Sequence, residues 1–271
     1  MNYRHSFHAG NFADLVKHAL LLWLLERRQA AGPVTVIDTH AGAGLYDLSG
    51  DAARSREAEA GVKRLASAGE LPPLIRALAD EVRALNGGGE TRLYPGSPLL
   101  AARRLRAEDR YLGFELNPPV LGLLKEALAG RRGAEAREGD GYALAVEAAK
   151  GAKAPLVLID PPFERPDDYH RAADAALAIL QEDARATVAI WTPLKDLETF
   201  DGFIRRLEAG RAAAVVAEAR LRPLTNPMKM NGCALVILNP PDGAEAAAQT
   251  VCGWVAETLG EAGARAEVWP L

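Results

Sequence analysis

The sequence predicts a doubly wound α/β fold, a mostly parallel sheet with helices on both faces. Short, near-continuous apolar segments rich in β-branched residues recur along the chain. Stretches with helical spacing separate them, and turns carrying Gly, Pro and acidic residues follow the apolar segments. Strands buried on both faces and alternating with helices have this pattern.

The first helix is expected over Asp14 to Gln29, with Trp23 and Leu24 on its inner face. Val34–Ile37 is the first strand, and Asp38-Thr39-His40-Ala41-Gly42-Ala43-Gly44 is its loop. From Asp51 to Arg92 the chain is charged and helical with no strand candidate, and Asn86-Gly87-Gly88-Gly89 closes its helical part. The alternation then resumes. Strands are expected at Tyr111–Phe114, more weakly at Ala134–Arg137, and at Leu156–Ile159, Thr187–Trp191, Ala213–Val216 and Ala234–Leu238. Helices are expected over Pro118–Leu128, Gly141–Lys150, Tyr169–Leu180 and Lys195–Leu207. This makes a Rossmann-like, seven-stranded sheet with an added antiparallel strand near the C-terminus. Its domain is expected to comprise 1–50 and 94–271, with 51–93 as an inserted helical subdomain.

Composition narrows the function classes. Hydrophobic residues make up 49% and charged residues 25%, as in ordinary globular proteins. A net charge of −4 does not favour holding nucleic acid by charge alone, so such a substrate would be met through a local patch. Cys233 and Cys252 form no CxxC pair, which argues against a disulfide scaffold or a thiolate zinc site, and both read as packing residues. The apolar run Ala19–Leu25 is too short to span a membrane, and the opening Tyr3-Arg4-His5-Ser6 is unlike a secretory leader. A cytoplasmic protein is expected. His5, His8, His18 and His40 cluster early but lack carboxylates or thiolates at ligand spacing, so no metal is expected.

The residues just after each strand carry the chemistry, because ligands of open parallel sheets bind at the carboxyl ends of strands. Gly42 and Gly44 allow close backbone approach but lack the third glycine of a dinucleotide fingerprint. Glu115, after the second strand, offers two acceptor oxygens for a ribose diol or caps the helix near Pro118. Asp140, in Glu138-Gly139-Asp140-Gly141, faces an adenine edge or serves the turn. A glycine loop and two acids at successive strand ends together favour an adenosyl cofactor.

The fourth strand runs into Asp160-Pro161-Pro162-Phe163. An exocyclic amine on a base is a poor nucleophile because its lone pair is delocalised into the ring. Asp160 and the Pro161 carbonyl can hold its N–H groups, and Phe163 offers a ring for an extruded base to stack on. Asn239-Pro240-Pro241-Asp242 also follows an apolar strand, but it lacks the aromatic and follows the last predicted strand. It reads as a structural turn.

Tyr3-Arg4-His5-Ser6-Phe7-His8-Ala9-Gly10-Asn11, with Asp14, Lys17 and His18, resembles the signature of the RlmJ family of ribosomal large-subunit RNA adenine-N6 methyltransferases. The blocks Asp38–Gly44, Tyr94–Pro98, Glu115–Pro118, Asp140-Gly141 and Asp160–Pro162 agree in order, so the resemblance covers nearly the whole chain. It implies a class I methyltransferase sheet with a small helical insertion and S-adenosylmethionine as cofactor. The implied cofactor contacts are His18, His40, Ser97, Glu115, Asp140 and Gly141, and the implied proton acceptor is Asp160. The implied RNA-facing residues are Tyr3, His5 and Lys17. The family motif ends in tyrosine where this chain has Phe163, which keeps the ring and loses the phenol oxygen.

The resemblance further implies one adenine of 23S rRNA as substrate, protein-free or early in assembly, and a monomer. The segment Tyr3 to His18 is expected to order over the cofactor and complete the base pocket. A DNA adenine-N6 methyltransferase shares the Asp-Pro-Pro-aromatic motif, but no separate target-recognition domain is visible. A non-catalytic nucleotide-binding module and a nicotinamide oxidoreductase are weaker alternatives.

Overall fold

The computed structural model describes residues 7–49, 56–165, 167–225 and 230–271. Helix α1 (Phe12–Ala31) opens the fold. Asn11 caps it, its side chain accepting from the Ala13 and Asp14 amides at 2.9 and 3.0 Å, and Gly32 ends it. Every residue from Phe12 to Leu25 is buried, as expected of a helix that packs on several sides.

The central sheet contains β1 (Thr35–Asp38), β4 (Arg110–Glu115), β5 (Ala134–Glu138), β6 (Leu156–Ile159), β7 (Thr187–Leu194), β8 (Ala214–Arg220), β9 (Gly232–Leu238) and β10 (Arg265–Pro270). Its order is β10-β8-β9-β7-β6-β1-β4-β5. The pairs β5–β4, β4–β1, β1–β6 and β6–β7 are parallel, whereas β9 and β10 run antiparallel to their neighbours. All seven expected strands are present.

The sheet is larger than the seven strands expected, because β10 adds an eighth at its edge. Its sequence, Arg265-Ala266-Glu267-Val268-Trp269-Pro270, is half exposed, so it lacks the continuous apolar signature of a central strand. β8 also extends beyond the expected Val216. It runs on to Arg220 because buried Glu218 and Arg220 neutralise each other at 2.5 Å. A short ladder of β2 (Leu45–Asp47) with β3 (Leu93–Pro95), which the sequence reading omitted, closes the base of the stretch between them.

That stretch holds α2 (Glu57–Ala60), α3 (Val62–Ser67) and α4 (Pro73–Leu85). Val62, Leu65, Ile75, Leu78 and Val82 join the same apolar cluster as α1, α5 (Ser97–Arg104), α6 (Pro118–Ala127) and α10 (Ala244–Leu259) on one face of the sheet. The other face buries α7 (Gly141–Ala149), α8 (Asp168–Glu182) and α9 (Leu197–Glu208). Cys233 and Cys252 are free thiols buried in the first cluster. No described helix is long and apolar enough to cross a membrane.

Candidate active site

The carboxyl ends of β1, β4, β5 and β6 bring Asp38, Glu115, Glu138 and Asp160 to one edge of the sheet. The chain leaves β1 toward β4 on one side and returns to β6 on the other, so the crevice at this edge lies where connections diverge.

Asp160 meets α1 here. Lys17 Nζ donates to Asp160 Oδ2 at 2.5 Å and lies 2.8 Å from Asp14 Oδ1, with the lysine side chain exposed to 4% and Asp160 to 14%. Asp14 also accepts the Gly10 amide at 2.9 Å. Burial alone would lower the Lys17 pKa, but the carboxylates of Asp14 and Asp160 outweigh it and hold the ammonium well above its ordinary value. Lys17 therefore departs from the expected RNA-facing position. It is enclosed between two carboxylates, 5.9 Å from the Trp191 ring centroid, where no backbone phosphate can replace them without leaving charge unpaired.

The glycine loop is built for close approach. Gly42 and Gly44 take φ of 64° and 75°, and the Tyr46 hydroxyl accepts the Ala43 amide at 3.1 Å. Glu115 Oε2 accepts the Gly42 amide at 3.1 Å, and Oε1 accepts the Asn117 amide at 2.8 Å. Glu115 thus joins the glycine loop to Asn117, the residue at which α6 begins. Asp140 caps α7 through the Tyr142 amide at 3.1 Å and stays half exposed. A Cβ at Gly141 would come within 1.7 Å of the Thr39 carbonyl oxygen, so only glycine lets α7 begin against the β1 loop.

His40 and Ser97 complete this side. Thr39 Oγ1 lies 2.7 Å from His40 Nδ1, and burial lowers the imidazole to about 4, so it is neutral at pH 7. Ser97 donates to Asp38 Oδ2 at 2.7 Å, and Tyr111 donates to the same oxygen at 3.2 Å. Burial raises the Asp38 carboxyl to about 6 despite those hydrogen bonds. His18 is buried, with Nδ1 2.7 Å from the Tyr94 hydroxyl and the rings stacked at 5.5 Å.

After Asp160, Pro161 is buried and Pro162 exposed. Phe163 is buried, with its ring 4.6 Å from Tyr169 and 5.9 Å from Trp191, so its face is shared with two other aromatics. Tyr3 and His5 lie outside the described residues. The helical end of the N-terminal segment, Asp14 to His18, is packed into the core. Sequence reasoning gave no role to Asp38, Tyr94, Trp191 or Arg171. Asp38 alone had a legible signal, an acid closing an apolar strand ahead of a glycine loop.

The residues present suit an adenosyl group. Glycines hold the loop in left-handed backbone at Gly42 and Gly44, Gly141 has no room for a side chain, and carboxylates stand at successive strand ends. Among the described residues no group of three His, Cys, Asp or Glu side chains is arranged to hold a metal. Strand order and site together define a class I S-adenosylmethionine-dependent methyltransferase.

The family described as ribosomal RNA large subunit methyltransferase D, RlmJ, matches residues 31–271. Ribosomal RNA large subunit methyltransferase J of Escherichia coli is 32% identical over 97% of this chain and 95% of its own length. Its counterpart of the same name from Haemophilus influenzae is 34% identical over 96% and 94%. The crystal structure of protein LPL1258 from Legionella pneumophila superposes with a TM-score of 0.89 at 25% identity, covering 97% of this chain and 98% of that one. The chain belongs to the RlmJ family of ribosomal RNA large-subunit methyltransferases.

Proposed function

We propose that the protein methylates the N6 amine of one adenine in 23S rRNA. The observation that carries this reading is Asp160, placed by β6 at the crevice and held at 2.5 Å by Lys17 from α1. When bound, S-adenosylmethionine supplies a methyl group activated by a positively charged sulfur. Glu115, Asp140, Gly141, His40 and Ser97 hold it along the strand ends. His18 acts behind them through Tyr94 and α1. Neutral His40 donates or accepts a hydrogen bond without adding charge beside a cationic donor.

The target base is extruded into the crevice. Asp160 and the Pro161 carbonyl accept its two N–H bonds and direct the nitrogen lone pair outward. As the nitrogen takes the methyl group, whose bond to sulfur breaks and leaves its electron pair on a neutral thioether, one amine proton would pass to Asp160 or to water. Lys17 keeps the Asp160 carboxylate in place through this exchange, so much of the rate gain comes from positioning. For Phe163 to stack on a base, its ring must uncover a face from Tyr169 or Trp191. Tyr3 and His5 would contact the RNA beside that base.

We also propose that 51–93 acts as an inserted helical unit, supported by the β2–β3 ladder at its base, and that the enzyme is a cytoplasmic monomer acting on protein-free or early-assembly RNA. The test is transfer of labelled methyl to protein-free large-subunit RNA and to duplex DNA, followed by nucleoside digestion. N6-methyladenosine from RNA alone is expected. Label in DNA, or on another base, overturns the reading.

A further inference from the structure

Asp140 is the most exposed of the carboxylates read as cofactor contacts, with 48% of its side chain in solvent. An exposed carboxylate at a helix N-terminus has several rotamers open to it, and an acceptor that wanders recognises poorly. Here it is restrained from two sides. Its Oδ1 accepts the Tyr142 amide at 3.1 Å, and its Oδ2 takes the Arg171 Nη2 donor at 2.6 Å.

Arg171 is itself immobilised. Its guanidinium carbon stands 4.4 Å from the Tyr142 ring centroid, and the same ring meets the His40 imidazole edge-on at 4.7 Å. The arginine comes from the first turn of α8, where its amide donates to the Asp167 carbonyl at 2.9 Å. α8 begins at Asp168, a few residues after the Asp160–Phe163 loop. One planar cation thus ties the start of α8 to the cap of α7 and, through Tyr142, to the β1 loop. A surface ion pair alone contributes little, but a guanidinium stacked on a buried ring has paid its ordering entropy in advance.

We propose that Arg171 is a positioning residue that aims the Asp140 carboxylate at the amino edge of the cofactor's adenine and so sets selectivity for a 6-amino over a 6-oxo purine. The inference rests on the assignment of Asp140 to the cofactor. A carboxylate held in place rewards an N–H donor and repels a carbonyl oxygen, whereas a loosely held one can turn toward solvent and lose the distinction.

The test measures dissociation constants of S-adenosylhomocysteine and its 6-oxo analogue by calorimetry on the full-length wild type and on Arg171→Ala, Arg171→Lys, Asp140→Asn and the Arg171→Ala/Asp140→Asn pair. Arg171→Ala should weaken the 6-amino ligand by about five- to tenfold, the scale of one charge-assisted contact, and lower the 6-amino/6-oxo ratio by a similar factor. Arg171→Lys keeps the charge without the planar stack and should recover part of the ratio. In the double variant the Arg171 effect should vanish, because the group it aims is gone. If Asp140→Asn leaves both ligands unchanged, the assignment of Asp140 fails. If Asp140→Asn lowers the ratio but Arg171→Ala does not, that assignment stands and the positioning role falls. A loss of affinity in Arg171→Ala equal for both ligands would also overturn it, since a purely structural role moves both together.

Discussion

Two segments of this chain share one local pattern and have opposite fates. Asp160-Pro161-Pro162-Phe163 and Asn239-Pro240-Pro241-Asp242 each follow a fully buried apolar strand. β6 is parallel to β1, so Asp160 emerges at the carboxyl edge beside the glycine loop. β9 is antiparallel to β7 and pairs Leu238 with Val188, near the start of β7, so Asn239 emerges at the opposite edge. There its amide nitrogen donates to the Ala184 and Ala186 carbonyls at 2.8 and 3.0 Å, and its own carbonyl accepts the Thr187 hydroxyl at 2.9 Å. Asn239 spends its polar atoms closing a turn. Asp160 spends one oxygen on Lys17 and keeps 14% of its side chain in reach of solvent. Strand direction, not the motif, separates the turn beside the glycine loop from the turn at the opposite edge.

The comparison breaks first at Asp160. Asp160→Ala should abolish methyl transfer while cofactor affinity stays within several-fold, measured by label incorporation and calorimetry. Substantial turnover in that variant would remove the difference between the two segments. Lys17→Met probes the buried charge that only the Asp160 side possesses. It removes the cation that Asp14 and Asp160 share, and a loss of about 3–5 kcal/mol in folding stability is expected by denaturant titration. A much smaller loss would mean that solvent reaches them in its place.

Glu115→Ala sharpens the contrast at the same edge. Loss of a charge-assisted pair should cost about 2–3 kcal/mol, or roughly 30- to 150-fold in cofactor dissociation constant. An unchanged constant would reduce Glu115 to a link between Gly42 and Asn117. At the far edge, Asn239→Ala should lower stability by about 1–2 kcal/mol by removing the donor to the part-buried Ala186 carbonyl, with kcat of the folded enzyme unchanged. A fall in kcat with no change in melting would move that turn into the catalytic account.

A further effect, confined to acidic pH, concerns Asp38. Because the folded protein holds its proton up to about 6, against an ordinary 3.8, the stability it contributes is complete below the lower value and lost as pH rises through the upper one. Asp38→Asn should flatten the fall in melting temperature across that window. Parallel wild-type and variant curves would show that Asp38 titrates normally.

Much of the fold was legible because buried parallel strands need continuous apolar runs, and those runs are written locally. β10 was not, since an edge strand half in solvent can carry Arg265 and Glu267 without cost. β8 was cut short for a related reason: Glu218 and Arg220 look like a loop until each is seen to be the other's partner. The positions of Glu115, Asp140 and Asp160 at the strand ends were legible, because each directly follows a strand or its turn. The burial of Lys17 was not legible. Its two carboxylate partners lie three residues before it and 143 residues after it.

The sequence by itself determined the doubly wound sheet, the glycine loop and the order of acids at its strand ends, because apolar periodicity and backbone freedom act over a few residues. The tertiary structure alone decided that β9 runs antiparallel and carries Asn239 to the opposite edge, that Lys17 is buried with Asp160, and that Arg171 reaches Asp140 across 31 positions. Strand direction and charge pairing couple residues far apart in the chain, and such coupling exists only once the sheet has formed.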